Sequence, residues 1–151
     1  MYSAHGLLPV VFEMGSGRIN HIGIATKSLD RAEPLWAALG FTGSKDEVVA
    51  EQGVRIRHMS GSQNTRIELL EPISEDSPIG RFIAKRGEGI QQIAVDVLDI
   101  EAKIEELKAM GIRMINDSPS VGAGGSRIAF LHPSSCGGVL VELVEIGQQE
   151  S

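Results

Sequence analysis

Two stretches decide the fold: HIGIATKSLDRAEPLWAALGF (His21–Phe41) and QIAVDVLDIEAKIEELKAMGI (Gln92–Ile112). Laid over one another they need no gap, because every pair is separated by 71 residues. Ile22 falls on Ile93, Ile24 on Val95, Leu29 on Ile100, Trp36 on Leu107 and Gly40 on Gly111. Each copy reads as a short strand followed by a helix. Ser28 and Asp99 are suited to cap the two helices, because their side-chain oxygens accept from free N–H groups of the first turn. Gly40 and Gly111 stand where a helix ends in a left-handed residue. The second helix shows the clearer stripe, with Ile100, Ile104 and Leu107 on one face and Glu101, Glu105, Glu106 and Lys108 outside it. Pro34 lacks an N–H and predicts a delayed or kinked first turn in the first helix.

Three strand-like runs follow each helix, at 41–49, 54–59 and 66–70, and again at 112–116, 127–131 and 139–145. The closing runs correspond as well, IELL (Ile67–Leu70) matching VELV (Val141–Val144) at a slightly longer spacing, as a loop insertion produces. The chain therefore reads as one α+β domain over 19–146. It holds two βαβββ modules, 19–72 and 89–146, joined by a linker at 73–88. In that linker Ser77-Pro78 makes an N-cap and first helical residue. Ile79, Phe82 and Ile83 form an apolar face and Gly87 ends it, so a helix is expected to cover one end of the sheet. Residues 1–18 read as an N-terminal extension or tag remnant and 147–151 as a tail.

The composition supports such a domain. The 151 residues are 42% hydrophobic but only 4% aromatic, so the core must be built from Ile, Leu, Val, Ala and Met. A net charge of −6 argues against a nucleic-acid partner, which needs a basic stripe. The single Cys136 excludes an internal disulfide and fits a reducing cytoplasm, the expected location. No apolar run approaches the ~20 residues of a membrane-spanning helix.

Pairing the modules by a pseudo-twofold axis brings His21 together with Gln92, and Glu68 together with Glu142. Glu68 and Glu142 are carboxylates inside otherwise apolar strands, and carboxylates are rarely buried unless paired or bound to a metal. Two carboxylates, an imidazole and an amide oxygen make a four-ligand set for a divalent cation. His5, His58 and His132 have no such support, and His132 in LHPSSCGG reads as a turn residue. VGAGGS (Val121–Ser126) lacks the Lys-Ser/Thr tail of a phosphate-binding loop and reads as a hairpin connection. Arg81, Lys85 and Arg86 form a basic cluster on the linker helix. Its plain reading is a solvated face; its alternative is contact with phosphates. Gln91 is expected behind the ligands or at the surface.

HIGIA, EQGVRI, IELLEP, DSPIGRFIAKRGEGI, GAGGSRIAFLHP and GGVLVELVE together give the chain a family likeness over about residues 19–146. It resembles the vicinal oxygen chelate superfamily, the glyoxalase fold, and within it the methylmalonyl-CoA epimerase family. The resemblance implies two βαβββ modules forming a curved mixed sheet around a metal site, in agreement with the repeat. It implies metal ligands at His21, Glu68, Gln92 and Glu142. Oxygen-rich ligation favours Co²⁺, Mn²⁺ or Mg²⁺, with Zn²⁺ also admissible. The implied reaction is epimerisation of methylmalonyl-CoA, an isomerase chemistry in which the α-proton leaves and returns through an enolate. Glu142 is the catalytic candidate; the opposing group is left open, with Glu68 a hypothesis by symmetry. The implied partner is an acyl-CoA and the implied assembly a homodimer. The GAGGS loop is implied to bring backbone N–H groups to the acyl group. Two positions depart from the family. QQIA stands where members commonly carry HHIA or HHMA, so Gln92 replaces an imidazole. Ile56 stands where some members carry a glutamate proposed as a base. Alternatives on the same fold are another metal-dependent enzyme, such as a lactoylglutathione lyase, or a non-catalytic small-molecule binding protein.

Overall fold

The computed structural model describes residues 16–146. In chain order the elements are β1 (Ile19–Ala25), α1 (Leu29–Ala38), β2 (Thr42–Gly43), β3 (Glu47–Val49), β4 (Val54–Ser60), β5 (Arg66–Pro72), α2 (Pro78–Arg86), β6 (Gly89–Val97), α3 (Ile100–Ala109), β7 (Ser120–Val121), β8 (Arg127–Leu131) and β9 (Val141–Glu145). Most of the expected N-terminal extension, His5 and the tail lie outside the described residues.

Local chemistry sets the helix ends. The Ser28 hydroxyl accepts from the Arg31 N–H, the Asp99 carboxylate from the Ala102 N–H, and the Ser77 hydroxyl from the Gly80 N–H. Each module then ends its helix in the same way. Gly40 and Gly111 adopt φ of +100° and +86°. Their N–H groups bond to Ala37 and Lys108, and the next residues, Phe41 and Ile112, bond back to Trp36 and Leu107. Pro34 is accommodated without delaying the helix, which is assigned from Leu29 through Pro34 to Ala38.

Among the described residues nine strands form one mixed sheet in the order β2-β4-β5-β1-β6-β9-β8-β7, with β3 also on β4. At its centre β1 and β6 run antiparallel, and Ile22 lies opposite Ile93. Those two residues occupy one position of the repeat, so the pseudo-twofold axis passes between them. β5 lies parallel to β1 with Glu68 beside Gly23, and β9 lies parallel to β6 with Glu142 beside Ala94. The register is therefore the same in both modules. The outer strands depart from expectation. The run 41–49 breaks into β2 and β3, because Ser44, Lys45 and Asp46 leave the ladder and only the Ser44 N–H reaches His58. The run 112–116 keeps a single bridge, Met114 to Leu131, and follows β8 irregularly through Ile115 and Arg113. The short β7, which pairs with β8, was not expected.

Strand alternation sends side chains to two faces. Ile67 and Leu69 of β5 pack with Leu29, Met59 and Trp36 beneath α1. Leu143 of β9 packs with Ile100 and Ile104 beneath α3. Their strand neighbours Glu68, Leu70, Glu142 and Val144 must face the other way. On that inner face α2 seats Ile79 against Ala25, Val54, Ile56 and Leu70, and so covers one end of it, as expected. Gly80 permits this seating, because a Cβ there would fall onto the backbone oxygens of Ser74 and Glu75. Ile104 is 1% exposed in the α3 cluster. Ile104→Ala is expected to lower stability by about 2–5 kcal/mol with an unchanged urea m value. A loss below about 1 kcal/mol would show that α3 does not pack on the sheet as described.

Candidate active site

The inner face collects the residues singled out by the repeat. His21, Glu68, Gln92 and Glu142 are 3%, 3%, 7% and 5% exposed. Gln92 Nε2 lies 3.1 Å from His21 Nε2 and 2.5 Å from Glu142 Oε2. His21 Nε2 is 3.5 Å from the same Glu142 oxygen. Glu68 approaches the other edge of the ring, with Oε2 3.1 Å from His21 Nδ1. Gly23 makes room for this packing, because a Cβ there would stand 2.6 Å from Gln92 Cγ.

A hydrogen-bond chain holds the imidazole. Arg18 donates to Asp96 at 2.7 Å, Asn20 Nδ2 donates to the other Asp96 oxygen at 2.8 Å, and Asn20 Oδ1 lies 2.8 Å from His21 Nδ1. Nδ1 is thus the protonated nitrogen and the Nε2 lone pair faces Gln92 and Glu142, the tautomer that a ligating histidine needs. The sequence reading missed Arg18, Asn20 and Asp96. One signal was available: Asp96 follows Gln92 and Ala94 at strand period on the same face.

The two carboxylates share a register but not an environment. Across the antiparallel ladder Glu68 faces His58, whereas Glu142 faces Phe130. His58, set aside in the sequence, has its Nε2 3.0 Å from Glu47 and its Nδ1 3.7 Å from Glu68. Arg66 also stands 3.7 Å from Glu68. Glu142 has no Lys or Arg partner among the described residues. Burial pushes the Glu68 carboxyl above the usual carboxylate range, against the pull of His21 and His58.

This donor set suits a hard divalent cation. A bound cation would offset the burial of two carboxylates, and Glu142 has only the His21 imidazole and the Gln92 amide beside it among the described residues. Among the described residues no three His, Cys, Asp or Glu side chains form a ready cage. One corner is the Gln92 amide, and Glu68 lies on the Nδ1 side of His21. As hydrogen bonded, the Gln92 amide nitrogen serves both acceptors; a half-turn of the amide would present Oε1, the atom able to ligate a metal.

A cavity of about 250 Å³ opens over these groups, with Glu68, Gln92 and Glu142 in its lining and Ile56, Leu70, Ile128 and Phe130 among its apolar walls. The glycine-rich loop forms part of its rim through Gly122 and Ala123. It is tied to the first module, Gly124 donating to Glu47 at 2.6 Å and Gln52 to the Val121 carbonyl at 3.2 Å. The N–H groups of Gly122, Gly125 and Ser126 bond within the loop. Those three backbone donors are therefore already engaged within the loop.

The raised Glu68 pKa has a consequence for stability. Folding favours its protonated form, so that contribution is full below the ordinary value of 4.5 and is lost as pH rises through the raised value. Glu68→Gln is expected to raise the Tm of chelator-treated protein at pH 7 by a few degrees and to flatten its decline above pH 4.5. A lower Tm for the variant at pH 7 would contradict this electrostatic account.

Comparison with known proteins agrees with the geometry. The profile of the Glyoxalase/Bleomycin resistance protein/Dioxygenase superfamily matches residues 20–130. The mitochondrial methylmalonyl-CoA epimerase of Dictyostelium discoideum is 38% identical over 138 residues, covering 90% of this chain and 82% of that protein. A hypothetical protein from Bacillus halodurans has a solved structure that superposes with a TM-score of 0.84 at 45% identity, over 90% of this chain and 99% of that one. A Streptomyces coelicolor methylmalonyl-CoA epimerase, solved in complex with 2-nitronate-propionyl-CoA, superposes with a TM-score of 0.80 at 43% identity, over 89% of this chain and 97% of that one. The chain belongs to the glyoxalase/bleomycin resistance protein/dioxygenase superfamily and, within it, to the methylmalonyl-CoA epimerase family.

Proposed function

We propose that this chain interconverts the two epimers of methylmalonyl-CoA by removing the α-proton beside the thioester and returning one to the opposite face. The observation that carries this reading is the pair Glu68 and Glu142. The pseudo-twofold relates them, both are buried, and both line one mostly apolar cavity. Epimerisation needs an acid/base group on each side of a single carbon, and a twofold pair of carboxylates flanking one cavity supplies that arrangement.

Glu142 is the group that takes the proton. Phe130 stands opposite it and, among the described residues, no Lys or Arg engages it; Oε2 accepts from Gln92, which leaves Oε1 for the proton. Glu68, backed by His58, returns a proton from the other side. Ile56 is 4% exposed in the cavity wall and supplies no base where some family members carry a glutamate. The apolar walls keep water from the carbanion, and the Asp96–Asn20 chain keeps the His21 Nε2 lone pair aimed at the site. His21, Gln92, Glu68 and Glu142 would hold a divalent cation, whose contribution when bound is Lewis-acid stabilisation of the enolate charge. Each carboxylate has two oxygens, so one can ligate while the other handles a proton. Their oxygen-rich set favours Co²⁺, Mn²⁺ or Mg²⁺ and also admits Zn²⁺.

The test is solvent deuterium exchange at the α-carbon of methylmalonyl-CoA, followed by NMR with protein supplied with each metal in turn. Exchange well above the buffer rate is expected. Glu142→Gln should lower it about 10²–10⁴-fold, and Gln92→His should retain it. Folded, metal-supplied protein giving only the buffer rate would overturn the assignment.

A further inference from the structure

The two ends of the sheet meet across its open side. β3 lies on β4 at one end and β7 lies on β8 at the other, with β5, β1, β6 and β9 between β4 and β8. Side chains of the first module nevertheless reach the glycine-rich loop of the second. The Gly124 N–H donates to Glu47 Oε2 at 2.6 Å, and the Val121 N–H to Glu51 Oε2 at 3.4 Å. Gln52 Nε2 donates to the Val121 carbonyl at 3.2 Å and to Ser120 Oγ at 3.4 Å. Between these ties Ala123 packs on the apolar cluster that holds Val49, Val54, Ile56 and Leu70. Gly122 and Ala123 also belong to the cavity rim, so the loop closes over the face on which the paired carboxylates stand.

The loop is folded on itself by its own hydrogen bonds, and Gly122 lies so near β8 that a Cβ there would stand 2.7 Å from Ile128. Such a tip moves as a unit. What ties it to the first module are hydrogen bonds at the surface, the kind that open locally. Glu47 makes the shortest of them, and it has a second partner. Its Oε1 lies 3.0 Å from His58 Nε2, while His58 Nδ1 lies 3.7 Å from Glu68. That Nδ1 is buried and has no hydrogen-bond partner among the described residues, so Glu47 supplies the hydrogen bond that orients the ring. Gly124 and His58 together hold the Glu47 carboxyl below the usual carboxylate range. Glu47 itself is not among the residues that line the cavity.

We propose that Glu47 is a positioning residue for the proton transfer. One oxygen latches the glycine-rich loop over the cavity; the other braces the His58 ring behind Glu68. Closure of the loop and placement of Glu68 are thereby coupled through one carboxylate. A closed loop excludes water from the reacting carbon, and a braced Glu68 keeps its oxygens aimed at that carbon. This rests on the epimerase reading above and adds to it a residue that acts on the chemistry only through its neighbours.

Amide hydrogen exchange and kinetics test it together. Glu47→Ala should speed exchange of the 120–126 amides about tenfold or more and leave the β1 and β6 amides unchanged. It should lower kcat for methylmalonyl-CoA about tenfold or more while KM stays within about threefold. His58→Phe gives the first module the residue that the second carries at Phe130. That variant should lower kcat with loop exchange unchanged, because Gly124 keeps its acceptor. Imidazole nitrogen shifts read the brace without the reaction: His58 should be held protonated at Nε2 in the natural protein, facing the Glu47 acceptor, and should lose that preference in Glu47→Ala. Unchanged loop exchange in Glu47→Ala, exchange raised equally in β1 and β6, or natural kcat in either variant would overturn the proposal. No epimerisation by the natural protein, with loop exchange and the His58 shifts responding as expected, would overturn the epimerase reading and leave the latch and the brace standing.

Discussion

The antiparallel pairing of β1 with β6, with Ile22 opposite Ile93, is the constraint on which the rest depends. It joins two modules that are each incomplete on their own. A strand pair related by a twofold places equivalent residues on one face and close to the axis. His21 and Gln92 meet there because each stands one residue from the axial pair. Glu68 and Glu142 meet there because each lies on the strand parallel to one member of that pair, in the same register. A shift of either central strand by one residue would turn His21 or Gln92 toward the helices and leave the carboxylates without them.

That geometry is energetically demanding. Two carboxylates, an imidazole and an amide are buried between apolar walls. The fold offsets the cost unevenly. Glu68 is surrounded by His21, His58 and Arg66, whereas Glu142 has only Gln92 and His21 among the described residues. Equivalent positions have thus become inequivalent groups. Environments that differ around paired carboxylates are how one site assigns different proton-transfer roles to two identical side chains. The Arg18–Asp96–Asn20–His21 chain adds direction, since it fixes which imidazole nitrogen is available to the site.

The architecture was legible because its signals are local. Caps at Ser28, Ser77 and Asp99, terminal glycines at 40 and 111, and the apolar period of each helix act within a few residues of themselves. The four polar residues were legible because the repeat supplied a second copy with which to compare each one. What lacked a counterpart was hidden. His58 has Phe130 as its equivalent across the ladder, so symmetry made it look unsupported. Its role depends on Glu47 and Glu68, which only the register brings near. Asp96 shares the strand period of Gln92 and Ala94, but what it and Asn20 do depends on a cross-strand hydrogen bond that only the register creates. The edge strands were misread for a similar reason, since pairing there is decided by partners that the run itself does not reveal. The family likeness implied the reaction and the ligand positions, while Gln92 and Ile56 stand where some members carry a histidine and a glutamate.

The central claim is that the pseudo-twofold assembles one cation site from His21, Glu68, Gln92 and Glu142. Titration of metal-stripped protein with Co²⁺, read by visible absorption, tests it most directly. The account expects a band that saturates at one ion per chain. The band should weaken or vanish in His21→Ala and Glu142→Gln, and it should intensify and shift in Gln92→His as nitrogen replaces oxygen. A saturating band indifferent to all three substitutions, or no band in natural protein shown to be folded, would contradict it.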